Sequence, residues 1–356
     1  MGRCLIKNGK VFNGGEFLYA DVLTNDDKII AISKDITDKA DFVYDAGGKI
    51  VSAGLVDVHM HMRGISSYAY GTQVEASCFP FGVTAAADAA AVNGNKEMLD
   101  FLMVKNRVFV PVGFKNNKPN FDNIKSSLLK KYGDKAIGIK VCFDTEQYNV
   151  RTIEPLQEVC DFAKKHGFKV LVHSSNSPVS MYDMAKTLNK GDILTHAFHG
   201  GKNNASEDEF ECLKLAKARG VFIDVGMAGF VHTNFAIYKL AIKKGVLPDI
   251  IGTDITRLSA FRRGGRYGMT MCMSISKAFG MSEIEIFKAV TTTPARALGM
   301  RDECGVLEVG RKADISVFDY SIEPFEMTDK EGNHTEGEKG YKCVLTLADG
   351  EIVYRA

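Results

Sequence analysis

Along the middle of the chain, short apolar runs recur with amphipathic stretches between them, the pattern of buried parallel strands joined by crossover helices. Eight runs can be counted: GLVDVH (54–59), GVTAAADA (82–89), VFVPVGF (108–114), AIGIKVCF (136–143), FKVLVH (168–173), DILTH (192–196), GVFIDVG (220–226) and PDIIGTD (248–254). Between two of them, TIEPLQEVCDFAKKHG (152–167) has the spacing of an amphipathic helix and closes on Gly167, which suits a C-cap. Eight alternating units predict an α/β fold, a TIM-type (β/α)8 barrel over 54–303, rather than an open doubly wound sheet.

The two ends of the chain have a different texture. CLIKNGKVF carries an Asn-Gly hairpin signal, KIIAIS and FVYDAGGKIV follow, and GVLEVG, ADISVFDY and KCVLTLADGEIVYR repeat the pattern near the other end. Segments 1–53 and 304–356 are therefore expected to build one small β-sandwich together. The stretch TDKEGNHTEGEKG (328–340) is polar and turn-rich, which predicts a surface loop holding His334 without catalytic duty.

Composition narrows the class. Of 356 residues, 45% are hydrophobic and 25% charged, with 45 Lys+Arg against 44 Asp+Glu, so nothing points to a nucleic-acid or membrane partner. The opening MGRCLIKNGKVFNGG lacks the plan of a secretory signal, and no run reaches transmembrane length, which predicts a cytoplasmic protein. Eight scattered cysteines without a CxxC pair fit reduced core thiols.

In such a barrel the polar residues that close the apolar runs face the site. Here they are His59 and His61 on strand one, Lys140 in strand four, His173 after strand five, His196 after strand six and Asp254 after strand eight. A His-x-His pair on a strand presents both imidazoles on one side and can grip one ion. Lys140 lies inside an apolar run, so it either reaches solvent from the strand end or is buried as the neutral amine. A neutral amine can combine with carbon dioxide to give an anionic carbamate that bridges two cations. A protonated amine would be opposed by about 4 kcal/mol per unit of metal charge about 4 Å away at an effective dielectric of 20.

The ordered set of HMH, strand-four lysine, two further histidines and a strand-eight aspartate resembles the binuclear branch of the amidohydrolase superfamily, and GRKADISVFD and TTTPARALG are similar to its C-terminal phrases. The resemblance implies that His59, His61 and Asp254 hold one divalent metal and His173 and His196 the other, with carboxylated Lys140 between them. Zinc suits imidazole and carboxylate donors, with manganese, iron or cobalt as alternatives. Hydrolysis of an amide, cyclic amide or ester is implied, through hydroxide shared by the metals, with Asp254 as the proton shuttle. Proteins of this kind that survive as non-catalytic scaffolds usually lose ligands, whereas all six are present here.

The substrate is less legible. Arg63 follows in HMHMR, similar to the dihydroorotase start, and its guanidinium suits a substrate carboxylate or an acidic neighbour. THAFHG and DVGMAGF instead resemble the deacetylase-like relatives of dihydroorotase, although that branch often has a histidine where Met227 stands. His199 is a candidate substrate contact or a plain loop residue, and Asp88 a candidate pocket residue. Arg257, Arg262, Arg263 and Arg266 mark either an anion-binding mouth or a solvated surface. His166 suits a helix C-terminus, and His232 and Asn234 a helix start. A small carboxylate-bearing acyl compound is the expected substrate, a cyclic amide the alternative, and barrel helices of this type suit a symmetric partner, that is, a homo-oligomer.

Overall fold

The computed structural model describes residues 2–126, 130–145, 150–228, 231–262 and 266–356. Seven parallel strands follow one another in chain order: Leu55–Met60, Val83–Asp88, Lys105–Pro111, Ala136–Cys142, Lys169–His173, Ile193–Thr195 and Phe222–Ile223. The third begins at Lys105, ahead of the apolar run at 108, because its polar residues pair in register with Ala85–Asp88. Val56, Val58, Ala85, Ala87, Phe109, Leu171, Ile193 and Ile250 form one buried cluster, and side chains from so many strands meet only inside a closed barrel.

The eighth run closes the barrel without becoming a regular strand. Ile250 bridges Asp224 and Ile255 bridges Met60, both in parallel sense. Between these bridges, carboxylates take amide groups that a ladder would otherwise pair: Asp224 Oδ1 accepts Gly252 N at 2.8 Å, and Asp57 Oδ1 accepts Thr253 N at 3.1 Å. Asp254 then turns into the left-handed region with φ 48°.

The crossover segments follow their sequence signals. The helix Glu154–His166 buries Leu156, Val159, Cys160 and Ala163 and ends on Gly167 at φ 73°, as its closing glycine predicts. Seven of the eight cysteines are buried, in keeping with core thiols.

N- and C-terminal segments share one eight-stranded sheet. Its path runs Glu351–Arg355, His334–Ala348, Ile315–Thr328, Ile50–Ala53, Arg3–Phe12, Phe17–Asn25 and Lys28–Ser33, with Phe42–Asp45 paired to Arg3–Phe12. Ile315 pairs with Ala53 in antiparallel register, which joins the two ends of the chain at the base of the barrel sequence. One correction concerns 328–340: most of it is strand, in register from Thr328↔His334 through Ile322↔Lys339. Its alternating polar side chains read as a loop because this hairpin arm gives them an exposed face. Among the described residues, no helix is long and apolar enough to cross a membrane.

Candidate metal centre

Six side chains at or near strand ends converge at one mouth of the barrel. The Nε2 atoms of His61 and His59 lie 3.0 and 3.3 Å from Asp254 Oδ1, and His196 Nε2 lies 3.8 Å from Asp254 Oδ2. Lys140 Nζ is 3.4 Å from His59 Nε2. The ring of His173 packs 4.4 Å from that of His196, edge to face. All six ligand candidates from the sequence are buried and are brought together. His196 and Asp254 both hold positive φ, 59° and 48°, a conformation uncommon outside glycine that turns each side chain off its strand end into the mouth.

Outward hydrogen bonds settle which nitrogen each ring presents. His59 Nδ1 lies 2.9 Å from Thr195 Oγ1 and 3.3 Å from Asp224 Oδ2, and the threonine hydroxyl itself donates to Asp224 at 2.6 Å. His61 Nδ1 lies 3.0 Å from Ser66 Oγ, whose hydroxyl donates to Asp88. His196 Nδ1 donates to Gly226 O at 2.7 Å. Each Nδ1 is thus the N–H, and each Nε2 turns a lone pair inward. His173 is reversed: its Nε2 contacts Ser175 Oγ at 2.5 Å, which leaves Nδ1 for the centre. Burial lowers the basicity of His59, His173 and His196, in keeping with neutral rings. Burial also depresses the Lys140 amine, with Asp254 opposing that shift.

This arrangement fits a cation. Asp254 Oδ1 is buried and has no hydrogen-bond partner, although two imidazole nitrogens lie within 3.3 Å. Lone pairs facing a carboxylate repel it, and a positive ion among them removes the conflict. Among the described residues, two groups have ligand atoms within 4.8 Å of one another: His59, His196 and Asp254, and His173, His196 and His232.

Other residues from the sequence reading fall in varied places. Asp88 lies behind His61 rather than in the pocket, accepting Met62 N at 2.7 Å and the Ser66 hydroxyl. Arg63 is exposed on the turn after His61. His199 is buried, its Nδ1 accepts Gly201 N at 3.1 Å, its Nε2 has no partner, and burial pushes its pKa down to about 3. Met227 is core. Arg257 and Arg266 are exposed, while Arg263 and the Arg262 side chain lie outside what is described. Asn234 does cap the helix Phe235–Lys243, accepting Ile237 N at 3.0 Å.

His232 stands just ahead of that helix, as expected, and sequence reasoning missed only its nearness to the centre. Its ring packs 4.3 Å from His196 and 4.9 Å from His173, and burial pushes its pKa down to about 4. In sequence it stands six residues beyond the seventh run (220–226), so it does not mark the end of one of the eight strands. Asp144, also missed, is buried with a carboxylate oxygen 3.7 Å from His173 Nε2; its place directly after strand four was the available signal.

The chain is 26% identical to a deacetylase of Enterococcus faecalis, covering 98% of both chains. It is 23% identical to a dihydroorotase of Lactobacillus acidophilus over 99% of both. A crystal structure of a dihydroorotase superposes with a TM-score of 0.86 at 22% identity, covering 100% of both chains, which shows the shared fold. Residues 50–353 match the amidohydrolase family, and the chain belongs to it.

Proposed function

We propose that this metal-dependent amidohydrolase removes an acyl group from a small, carboxylate-bearing amide or ester. The observation that carries the reading is the buried, unpartnered Asp254 Oδ1 set among the inward nitrogens of His59 and His61. Similarity to a deacetylase over almost the whole length of both chains supports the acyl substrate.

His59, His61 and Asp254 would hold one divalent cation, His173 and His196 the other, and Lys140 as a carbamate would join them. Bound there, two zinc ions would polarise the scissile carbonyl and acidify water. Burial already favours the neutral Lys140 amine that carbamate formation requires. Asp254 accepts the proton of the attacking water and returns it to the leaving nitrogen or oxygen. Arg63, exposed beside His61, offers its guanidinium to the substrate carboxylate, and His199 lies deeper as a second polar contact. In the same proposal the barrel spans 54–303, 1–53 with 304–356 forms the small β-domain, and the protein works in the cytoplasm as a homo-oligomer.

A cyclic-amide substrate is the second reading, favoured by dihydroorotase relatives and by Arg63 two residues after His61. The deciding experiment is turnover of N-acyl amino acids, O-acyl hydroxy acids, dihydroorotate and hydantoins by zinc-loaded protein, with Asp254→Asn as control. Acyl release absent from the control supports the main reading. Ring opening alone replaces it with the second, and silence across the panel removes both substrate classes.

A further inference from the structure

Five histidines, not four, crowd the mouth, and the fifth has the same kind of placement as the others. We propose that His232 is a third imidazole ligand of the cation site formed by His173 and His196, an inference that rests on the metal centre proposed above. The rings of His173, His196 and His232 lie 4.3 to 4.9 Å apart centroid to centroid, and one ligand atom from each falls within 4.8 Å of the others.

Orientation supports ligation over simple ring packing. His59, His61 and His196 each tie one nitrogen to an oxygen outside the centre and turn the other inward. His232 does the same, with Nδ1 3.2 Å from Ser175 Oγ. That hydroxyl also contacts His173 Nε2 at 2.5 Å, and its two lone pairs can receive an N–H from each ring. Ser175 thereby frees His173 Nδ1 and His232 Nε2 together, the outer support expected of metal-bound imidazoles. His166 lacks this setting: it is exposed, and its Nδ1 bonds to Phe162 O within its own helix.

The chain around His232 is anchored by residues remote in sequence. Asn234 N donates to Phe198 O at 2.9 Å, in the loop that follows His196. Phe235 N donates to Asp329 Oδ2 at 2.7 Å, at the tip of the C-terminal hairpin. His232 is therefore held against His196 by the same loop that His196 begins. A third imidazole would give this cation three protein ligands beside the shared Lys140 carbamate, the same number that His59, His61 and Asp254 would give its neighbour.

The test is metal retention and does not depend on turnover. Zinc- and cobalt-loaded wild type, His232→Ala, His232→Gln and the control His166→Gln are dialysed against a chelator, and metal per chain is followed with time. The visible spectrum of each cobalt form is recorded alongside circular dichroism to establish folding. The expected result is that both His232 variants lose one metal equivalent about 10- to 100-fold faster than wild type, with a changed cobalt spectrum, while His166→Gln matches wild type. If folded His232→Gln retains both equivalents at the wild-type rate with an unchanged spectrum, the proposal is overturned. Wild type that retains no metal overturns this proposal and the metal centre together, whereas metal retention without turnover on the acyl panel counts only against the substrate reading.

Discussion

The Nδ1 of His196 lies 2.7 Å from the carbonyl oxygen of Gly226, and that glycine has the left-handed φ of 53°. A Cβ at Gly226 would stand 2.4 Å from Thr195 Oγ1 and 2.7 Å from His196 Nδ1. Gly226→Ala therefore both strains the backbone and pushes His196 off its position. The expected outcome is a loss of kcat of about 100-fold or more, as for a displacement near 1 Å, with a stability loss of about 1–3 kcal/mol. Wild-type kcat with an unchanged melting temperature would show that His196 does not depend on this contact.

Ser66 relays His61 to Asp88 through hydrogen bonds of 3.0 and 2.9 Å. Ser66→Ala deletes the acceptor for His61 Nδ1–H and leaves the ring free to change tautomer. Zinc affinity is expected to fall about 10-fold or more, measured by competition with a chromophoric chelator. Equal affinity in the two proteins would remove the relay from the account.

Asp254 combines an inward carboxylate with the position nearest both His59 and His61. Asp254→Asn keeps the shape and abolishes the proton acceptor. Turnover on whichever substrate is hydrolysed should drop by roughly 10²- to 10⁴-fold even in samples in which metal analysis shows both ions present. Full turnover in such samples would exclude the proton-shuttle role.

Away from the site, buried Asp192 accepts Val170 N and Asn189 N, and burial raises its pKa to about 6. The folded-state value exceeds the ordinary value of 3.8, so between about pH 4 and 6 the unfolded chain releases a proton that the native protein still holds. Stability contributed by the protonated form is present below pH 4 and is lost as pH rises through 6, by at most about 1.4 kcal/mol per pH unit. Urea denaturation should show wild type losing stability relative to Asp192→Asn across that window, with a constant difference above it. A difference independent of pH from 4 to 7 would mean that Asp192 titrates normally.

Much of the centre was legible because strand ends are local features. His59, His61, Lys140, His173, His196 and Asp254 each follow or interrupt an apolar run, and a parallel barrel collects such positions at one mouth. Asp88 also closes a run, yet it supports His61 from behind, since Ser66 lies between them. The polar stretch at 328–340 misled because alternation on a hairpin with one exposed face resembles a turn-rich loop when its partner strand is unknown.

The chain's own order of apolar runs and closing polar residues determined the barrel, the candidate ligand types and the family resemblance, because strand periodicity acts over a few neighbouring residues. Only the tertiary structure decided how the eighth segment closes the ring, which nitrogen each histidine turns inward, and that His232 joins His173. These depend on partners distant in sequence, such as Ser175 and His232, 57 residues apart, or Asp57 and Thr253, 196 apart. No periodicity extends over such separations; a hydrogen bond between them exists only after the barrel has closed and desolvated both groups.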